Sequence, residues 1–239
     1  MQNLIPDTYH GNGAVDWRQL CADPRFFGAI IKATEGVRYK WAETWFYENW
    51  SELKRVGTER DGIDWLRGCY HYLVFKDDPV KQAEYYLQTV ENADTETIAF
   101  GKCDIMPIVD VELGAPGSIN HSATAEQVVE CTSAFVSYLK MHLACPVMLY
   151  GHQAMVQLGI KDKMQCDYLW MPTYGPKPAS PESIGWNAQE VLLWQYTDGI
   201  HNTTKNPAVA PGLKSADISI TQGIAATDPK VLSCRSNDY

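Results

Sequence analysis

Short apolar runs, several of them closed by an acid or an aromatic residue, recur eight times along this chain. They fall at residues 4–7, 27–33, 69–75, 105–112, 146–150, 166–171, 191–196 and 216–220. Runs of this length, bounded by turn residues, predict buried strands. Helical patterns follow the first five, at residues 15–20, 42–56, 79–93, 125–142 and 152–158. Within 42–56, Trp45, Phe46, Trp50 and Leu53 keep close to helical spacing. Pro79 suits a first helical turn, and Thr124 with Gln127 three residues on fits a capping box. The loops among the last three runs are rich in Pro and Gly and carry no helical pattern.

Strands alternating with helices predict a parallel sheet, and eight of them a sheet closed into a barrel. The alternative is a doubly wound open sheet, which gathers its site at one switch in strand order. Here candidate groups recur at the ends of most runs, which favours the barrel. With no interior linker or repeat, one domain is expected over residues 1–239, with a core at about 3–222 and a short C-terminal tail.

Composition narrows the function. The chain has 239 residues, 45% of them hydrophobic, with eight Trp and thirteen Tyr, enough for a sizeable core and a binding surface. A net charge of −9 argues against a nucleic-acid partner, whose phosphates need a basic footprint. No apolar run reaches the roughly eighteen residues of a membrane span. The N-terminus lacks the basic-then-apolar pattern of a signal peptide. Either a signal has been removed, or the chain is made in a cytoplasm and leaves by a separate route to the cell wall. Seven Cys are scattered without a C-x-x-C pair or zinc spacing, which suggests mostly reduced, buried thiols with room for one disulfide.

The run that carries the most chemistry is Ile105-Met106-Pro107-Ile108-Val109-Asp110-Val111-Glu112. Strand side chains alternate faces, so Asp110 and Glu112 project together from its C-terminal end. Their mutual repulsion raises the pKa of at least one, as an acid catalyst near neutral pH requires. A pair of salt-bridged strand-end carboxylates is the plain alternative.

A barrel gathers the C-terminal ends of its strands on one face. On that rim the sequence puts Asp7, Glu35, Tyr70, His71, Asp110, Glu112, Tyr150, Trp170, Tyr174, Gln195 and Asp217, with no Lys or Arg among them. Aromatic rings stack on sugars, and carboxyls protonate a leaving oxygen or stabilise a cationic ring, so the set suits hydrolysis of a sugar chain. Individually the residues have ordinary readings: a strand-end acid caps helices, and His71, inside an aromatic strand, suits a hydrogen-bonded core. No H-E-x-x-H, D-x-D-x-D-G or G-x-S-x-G pattern occurs, and Gly11-Asn12-Gly13 is no phosphate loop, so no metal or cofactor is expected.

These segments resemble the glycoside hydrolase family 25 muramidases, the lysozymes of the Chalaropsis and phage-endolysin type. The likeness is carried by Asp7-Thr8-Tyr9-His10-Gly11 with Val15-Asp16-Trp17, Ile31-Lys32-Ala33-Thr34-Glu35-Gly36, Gly68-Cys69-Tyr70-His71-Tyr72 and Pro107-Ile108-Val109-Asp110-Val111-Glu112. Tyr150-Gly151, Leu169-Trp170 with Tyr174, Leu193-Trp194-Gln195-Tyr196 and Ala216-Asp217-Ile218 continue it in order. The resemblance implies a flattened TIM-like barrel of five strand-helix units and three further strands. It implies cleavage of the β-1,4 bond between N-acetylmuramic acid and N-acetylglucosamine in peptidoglycan. By position Glu112 would be the general acid and Asp110 would hold its geometry. Asp7 and Asp217 would line the opposite side, and Glu35 would be a further acid. Tyr70, Tyr150, Trp170 and Tyr174 would hold sugar, with His71 and Gln195 also counted as substrate-binding. A monomer acting on peptidoglycan strands is expected, with membership of a phage particle or larger lytic assembly left open.

The family's first loop is often D-x-S-x-x-Q-G, and Tyr9 stands here where Ser is common. Cys69 replaces the usual small residue before Tyr-His. Many members append wall-binding repeats, whereas this sequence ends soon after its eighth run, so wall targeting is expected from another chain or from bulk affinity. Two rival readings fit the residues less well. A chitinase-type D-x-x-D-x-D-x-E would need acids where Ile105 and Ile108 stand. An inactive sugar-binding module on the same barrel would be expected to lack one of the acids, and all are present.

Overall fold

Inward and outward side chains alternate along eight short strands, and that alternation builds two apolar layers. In the computed structural model, which describes residues 4–58, 65–93, 100 and 104–234, the strands are β1 Leu4–Thr8, β2 Gly28–Glu35, β3 Leu66–Tyr72 and β4 Ile108–Asp110. They continue as β5 Met148–Tyr150, β6 Tyr168–Pro172, β7 Val191–Thr197 and β8 Asp217–Thr221. The barrel closes in chain order, β1 to β8 and back to β1. Ile5, Ile30, Ile108, Met148 and Leu193 pack inside it. Leu4, Ile31, Val109, Leu149 and Leu169 point outward against the helices.

Among the described residues, five α-helices cover that outer layer. They are α1 Trp17–Ala22, α2 Tyr47–Thr58, α3 Pro79–Ala93, α4 Ala125–Leu143 and α5 Gln153–Leu158. Each follows one of the first five strands, and no α-helix follows β6 or β7 among the described residues. The expected five strand-helix units and three further strands are thus present. Thr124 caps α4 as its sequence predicts: its hydroxyl accepts from the Gln127 N–H at 3.2 Å, and the Gln127 side chain accepts from the Thr124 N–H at 2.9 Å. The helix expected over 42–56 begins differently, as a π-helical turn Ala42–Phe46 that leads into α2.

The expectation of an all-parallel sheet needs one correction. β1 to β7 run parallel, but β8 is antiparallel to both β7 and β1. A parallel return requires a crossover along the barrel wall, usually a helix. The β7–β8 connection carries none, so the chain stays at the same end and β8 descends from it.

The expected tail also changes. Two 3-10 turns, Gly223–Ala226 and Pro229–Leu232, close the N-terminal end of the barrel. Ala225 and Leu232 are buried with Ile5, Leu66 and Ile105, whose apolar surface would otherwise face water. The Met106 N–H donates to the Leu232 carbonyl at 2.8 Å, and Cys145 and Cys234 form a disulfide. Cys21, Cys69, Cys131 and Cys166 are free and buried, while Cys103 and residues 235–239 lie outside the described residues.

Candidate active site

The period of two along each strand delivers the acids. Ile5 points into the barrel, so Asp7 does too, one step nearer the C-terminal end. Ile108 and Asp110, Met148 and Tyr150, and Leu193 and Gln195 repeat the relation. Register then sets Tyr72, Asp110, Tyr150 and Trp170 side by side across four strands. Asp217 is the first residue of β8 and pairs in register with Asp7. It reaches this end only because β8 runs antiparallel.

Glu112 lies just past β4. The Val111 N–H donates to the Tyr150 carbonyl at 2.9 Å. Buried Asn120 holds the next turn, donating to the Leu73 and Glu112 carbonyls at 2.7 and 3.0 Å and accepting from the Phe75 N–H at 3.2 Å.

A cleft of about 200 Å³ opens here, lined by Asp7, Thr8, Tyr9, Asn12, Tyr70, Asp110, Glu112, Tyr150, Trp170, Tyr174 and Asp217. A second lobe adjoins it and shares Glu112, Tyr150 and Tyr174. The structure therefore brings together Asp7, Tyr70, Asp110, Glu112, Tyr150, Trp170, Tyr174 and Asp217 as the sequence predicted.

Three predicted residues stand elsewhere. His71 is fully buried on the outward face, stacked on Phe135 at 4.8 Å, with Nδ1 against the Thr34 hydroxyl at 2.7 Å and Nε2 against the Gln82 side chain at 3.1 Å. It follows Tyr70 by one residue, so if Tyr70 faces the cleft His71 cannot. Burial lowers its pKa to about 3 and leaves the ring neutral. Gln195 points inward but is also fully buried and does not line the cleft. Its Nε2 donates to Asp7 at 2.8 Å, and its Oε1 accepts from the Tyr150 and Tyr174 hydroxyls at 2.9 and 3.0 Å. It ties three cleft residues together. Glu35 lies off the cleft lining and pairs with the Lys32 ammonium at 2.6 Å.

Burial is the main force on the acids. It raises Asp7 well above the usual aspartate range, and Asp217 beside it adds to the rise while the Gln195 hydrogen bond opposes it. Burial followed by Glu112 raises Asp110. Glu112 is raised by burial and drawn back by Lys32. Asp217 is pushed up to about 7 by burial, then by Asp198 and Glu112. Four such groups cannot all be ionised together, so the site holds a protonated acid beside ionised partners. One buried Asp110 oxygen has no hydrogen-bond partner among the described residues.

Sequence reasoning passed over Lys32. It shares the inward face of β2 with Ile30, is buried, and holds its ammonium 4.6 Å over the Tyr72 ring and 5.3 Å over the Tyr39 ring. Its charge lowers the pKa of both Asp110 and Glu112. Alternation from Ile30 would have found it, whereas attention to strand ends alone did not. Thr8, Tyr9 and Asn12 were also missed as cleft residues. The Asn12 side chain accepts from the Thr8 hydroxyl at 2.9 Å and from the Tyr9 N–H at 2.8 Å, a loop arrangement with no periodic signal. Among the described residues, no three His, Cys, Asp or Glu side chains are grouped to hold a metal ion.

Residues 6–203 match the family model described as Glycosyl hydrolases family 25. A family 25 glycosyl hydrolase from Bacillus anthracis is similar in structure, with 24% identity, 93% of this chain and 89% of that one covered, and a TM-score of 0.69. A lysozyme from Streptomyces coelicolor shares 18% identity over 96% of this chain and 99% of that one, with a TM-score of 0.68. The catalytic domain of an endolysin from a Listeria monocytogenes bacteriophage shares 19% over 97% and 98%, with a TM-score of 0.65. At these identities the structural likeness speaks to the fold. No curated protein matches significantly.

Proposed function

The chain belongs to glycosyl hydrolases family 25, and on that premise we propose that it is a muramidase that cuts the β-1,4 bond between N-acetylmuramic acid and N-acetylglucosamine in peptidoglycan. The carrying observation is that buried Asp7 and Asp110 and half-buried Glu112 and Asp217 line one cleft, with the pKa of each raised. Glycoside hydrolysis needs a carboxyl that keeps its proton until the leaving oxygen takes it, and carboxylates facing the growing ring cation.

Glu112 is the proposed donor: it opens to both lobes, and burial raises its pKa. Asp110, its neighbour on the same face, lines the cleft beside Glu112, and the two carboxyls interact: Glu112 raises the pKa of Asp110. Asp7 and Asp217 face the ring cation or orient a water. Tyr70, Tyr150, Trp170 and Tyr174 hold the sugars. Trp170 is fixed for this by its indole N–H, which donates to the Ser219 hydroxyl at 2.8 Å. Glu35 acts through its pairing with Lys32.

The bacterial cell wall is the proposed place of action, with the protein working as a monomer. No helix among the described residues is long and apolar enough to cross a membrane. Mass spectrometry of fragments released from purified peptidoglycan is the test. New reducing ends at muramic acid are expected. Ends at glucosamine, freed peptides or no release would each overturn the assignment.

A further inference from the structure

Gln195 is fully buried on the inward face of β7 and lies outside the cleft lining, yet its amide bonds three residues that do line it. Those bonds cross the barrel. Tyr150 stands on β5, Tyr174 follows β6, and Asp7 is on β1, with β8 in between. The two halves of the amide divide the work. Oε1 accepts from both phenol hydroxyls, and Nε2 donates to Asp7 Oδ2. An amide oxygen carries only lone pairs here, and an amide nitrogen only protons. The reverse orientation would set the carbonyl against the lone pairs of Asp7, a buried mismatch that only a proton on Oδ2 would relieve. The two phenols on Oε1 hold the amide the other way. Gln195 engages Oδ2 alone, which leaves Oδ1 to the cleft that Asp7 lines.

We propose that Gln195 is a positioning residue for glycan hydrolysis, clamping Asp7 from behind as an ionised carboxylate with one oxygen turned to the cleft. The inference rests on the muramidase reading and concerns a residue outside the cleft lining. The acids of the site repel one another, so something must settle which of them gives up its proton. Asp7 is faced by Asp217 from β8, by Asp110 on β4 and Glu112 just past it, and by the phenols of Tyr70, Tyr150 and Tyr174. Asp217 and Glu112 oppose a charge on Asp7, as burial does. The Gln195 hydrogen bond works against them. A bond from a buried donor to a charged acceptor is among the stronger kinds. This donor is in place before substrate arrives, so it needs no reorganisation as charge develops on the sugar ring.

The test is the pH dependence of reducing-end release from purified peptidoglycan by Gln195→Met and Gln195→Glu. Methionine is similar in length to glutamine and offers no proton to Asp7. Asp7 then keeps its own proton to higher pH. The acidic limb of kcat should move up by about one unit, so that kcat on that limb falls about tenfold while KM changes far less. A protonated glutamate repeats the amide pattern, its carbonyl accepting from the phenols and its hydroxyl donating to Asp7. The deficit of Gln195→Glu should therefore shrink as pH falls, while that of Gln195→Met grows. Tyr174→Phe removes one anchor of Oε1 at an exposed side chain, so its result does not depend on how well the Gln195 variants fold. It should move the acidic limb the same way by less. An acidic limb that stays in place in Gln195→Met or in Tyr174→Phe, or equal deficits of the two Gln195 variants at every pH, would overturn the positioning role and leave the muramidase reading intact. No reducing ends from the wild-type protein would overturn both.

Discussion

At one end of the barrel Asp104 lies buried against Arg67, and at the other Asp7, Asp110, Glu112 and Asp217 share a cleft. Arg67 and Asp104 meet through two contacts, Nε–Oδ1 at 2.5 Å and Nη2–Oδ2 at 3.2 Å, with the guanidinium 3.9 Å over the Trp50 ring. One buried acid there has a dedicated cation in a bidentate fork. The cleft has four acids, and Lys32, the cation that lowers Asp110 and Glu112, is already bonded to Glu35. Both ends bury charge. The first satisfies it and serves the fold, while the second leaves it uncompensated, which shifts pKa values and makes proton transfer available. The charge pattern around an acid distinguishes the two uses better than burial does.

The contrast is sharpest at Glu112. Glu112→Gln removes the proposed donor and should cut reducing-end release about 10²- to 10⁴-fold, the range for a general acid. Its Tm should equal or exceed wild type, because one of several mutually repelling groups has gone. Residual activity near wild type would strike out the donor role.

At the opposite end the cost should fall on stability. Arg67→Met leaves Asp104 buried without its cation and should cost about 3–5 kcal/mol in urea denaturation. Adding Asp104→Leu should recover much of that loss. If the single variant is as stable as wild type, the supposed difference between the two ends disappears.

Asp217 gives a smaller effect with a definite sign. Its folded pKa is near 7, above the roughly 3.9 of an unfolded aspartate. The folded state therefore binds the proton more tightly, and the resulting stability is complete below about pH 4 and lost as pH rises through about 7. Asp217→Asn escapes that loss. Calorimetry should find its Tm a few degrees above wild type at about pH 8, with the gap closing at about pH 4. A gap that widens on acidification would reverse the account.

Lys32 should show the smallest change. Lys32→Met removes the cation that lowers Asp110 and Glu112, so both limbs of the kcat/KM pH profile should move up by about half a unit. Lys32→Arg should return them. Limbs that stay in place would mean that Lys32 only packs.

The sequence by itself determined the strand-helix rhythm, the five covering helices and the inward set from Asp7 to Trp170. Each rests on a local rule: a period of two along strands, a helical period between them, and caps such as Thr124. Tertiary structure alone decided that Asp217 stands in register with Asp7, since the direction of β8 depends on which end its connection occupies. It made Gln195 a buried tie among Asp7, Tyr150 and Tyr174, and brought Cys234 back to Cys145. It also set Lys32 beside Asp110 and Glu112, residues far apart in the chain. Local periodicity fixes which way a side chain points, whereas closure of the barrel fixes which other charges it meets, and those charges set its pKa.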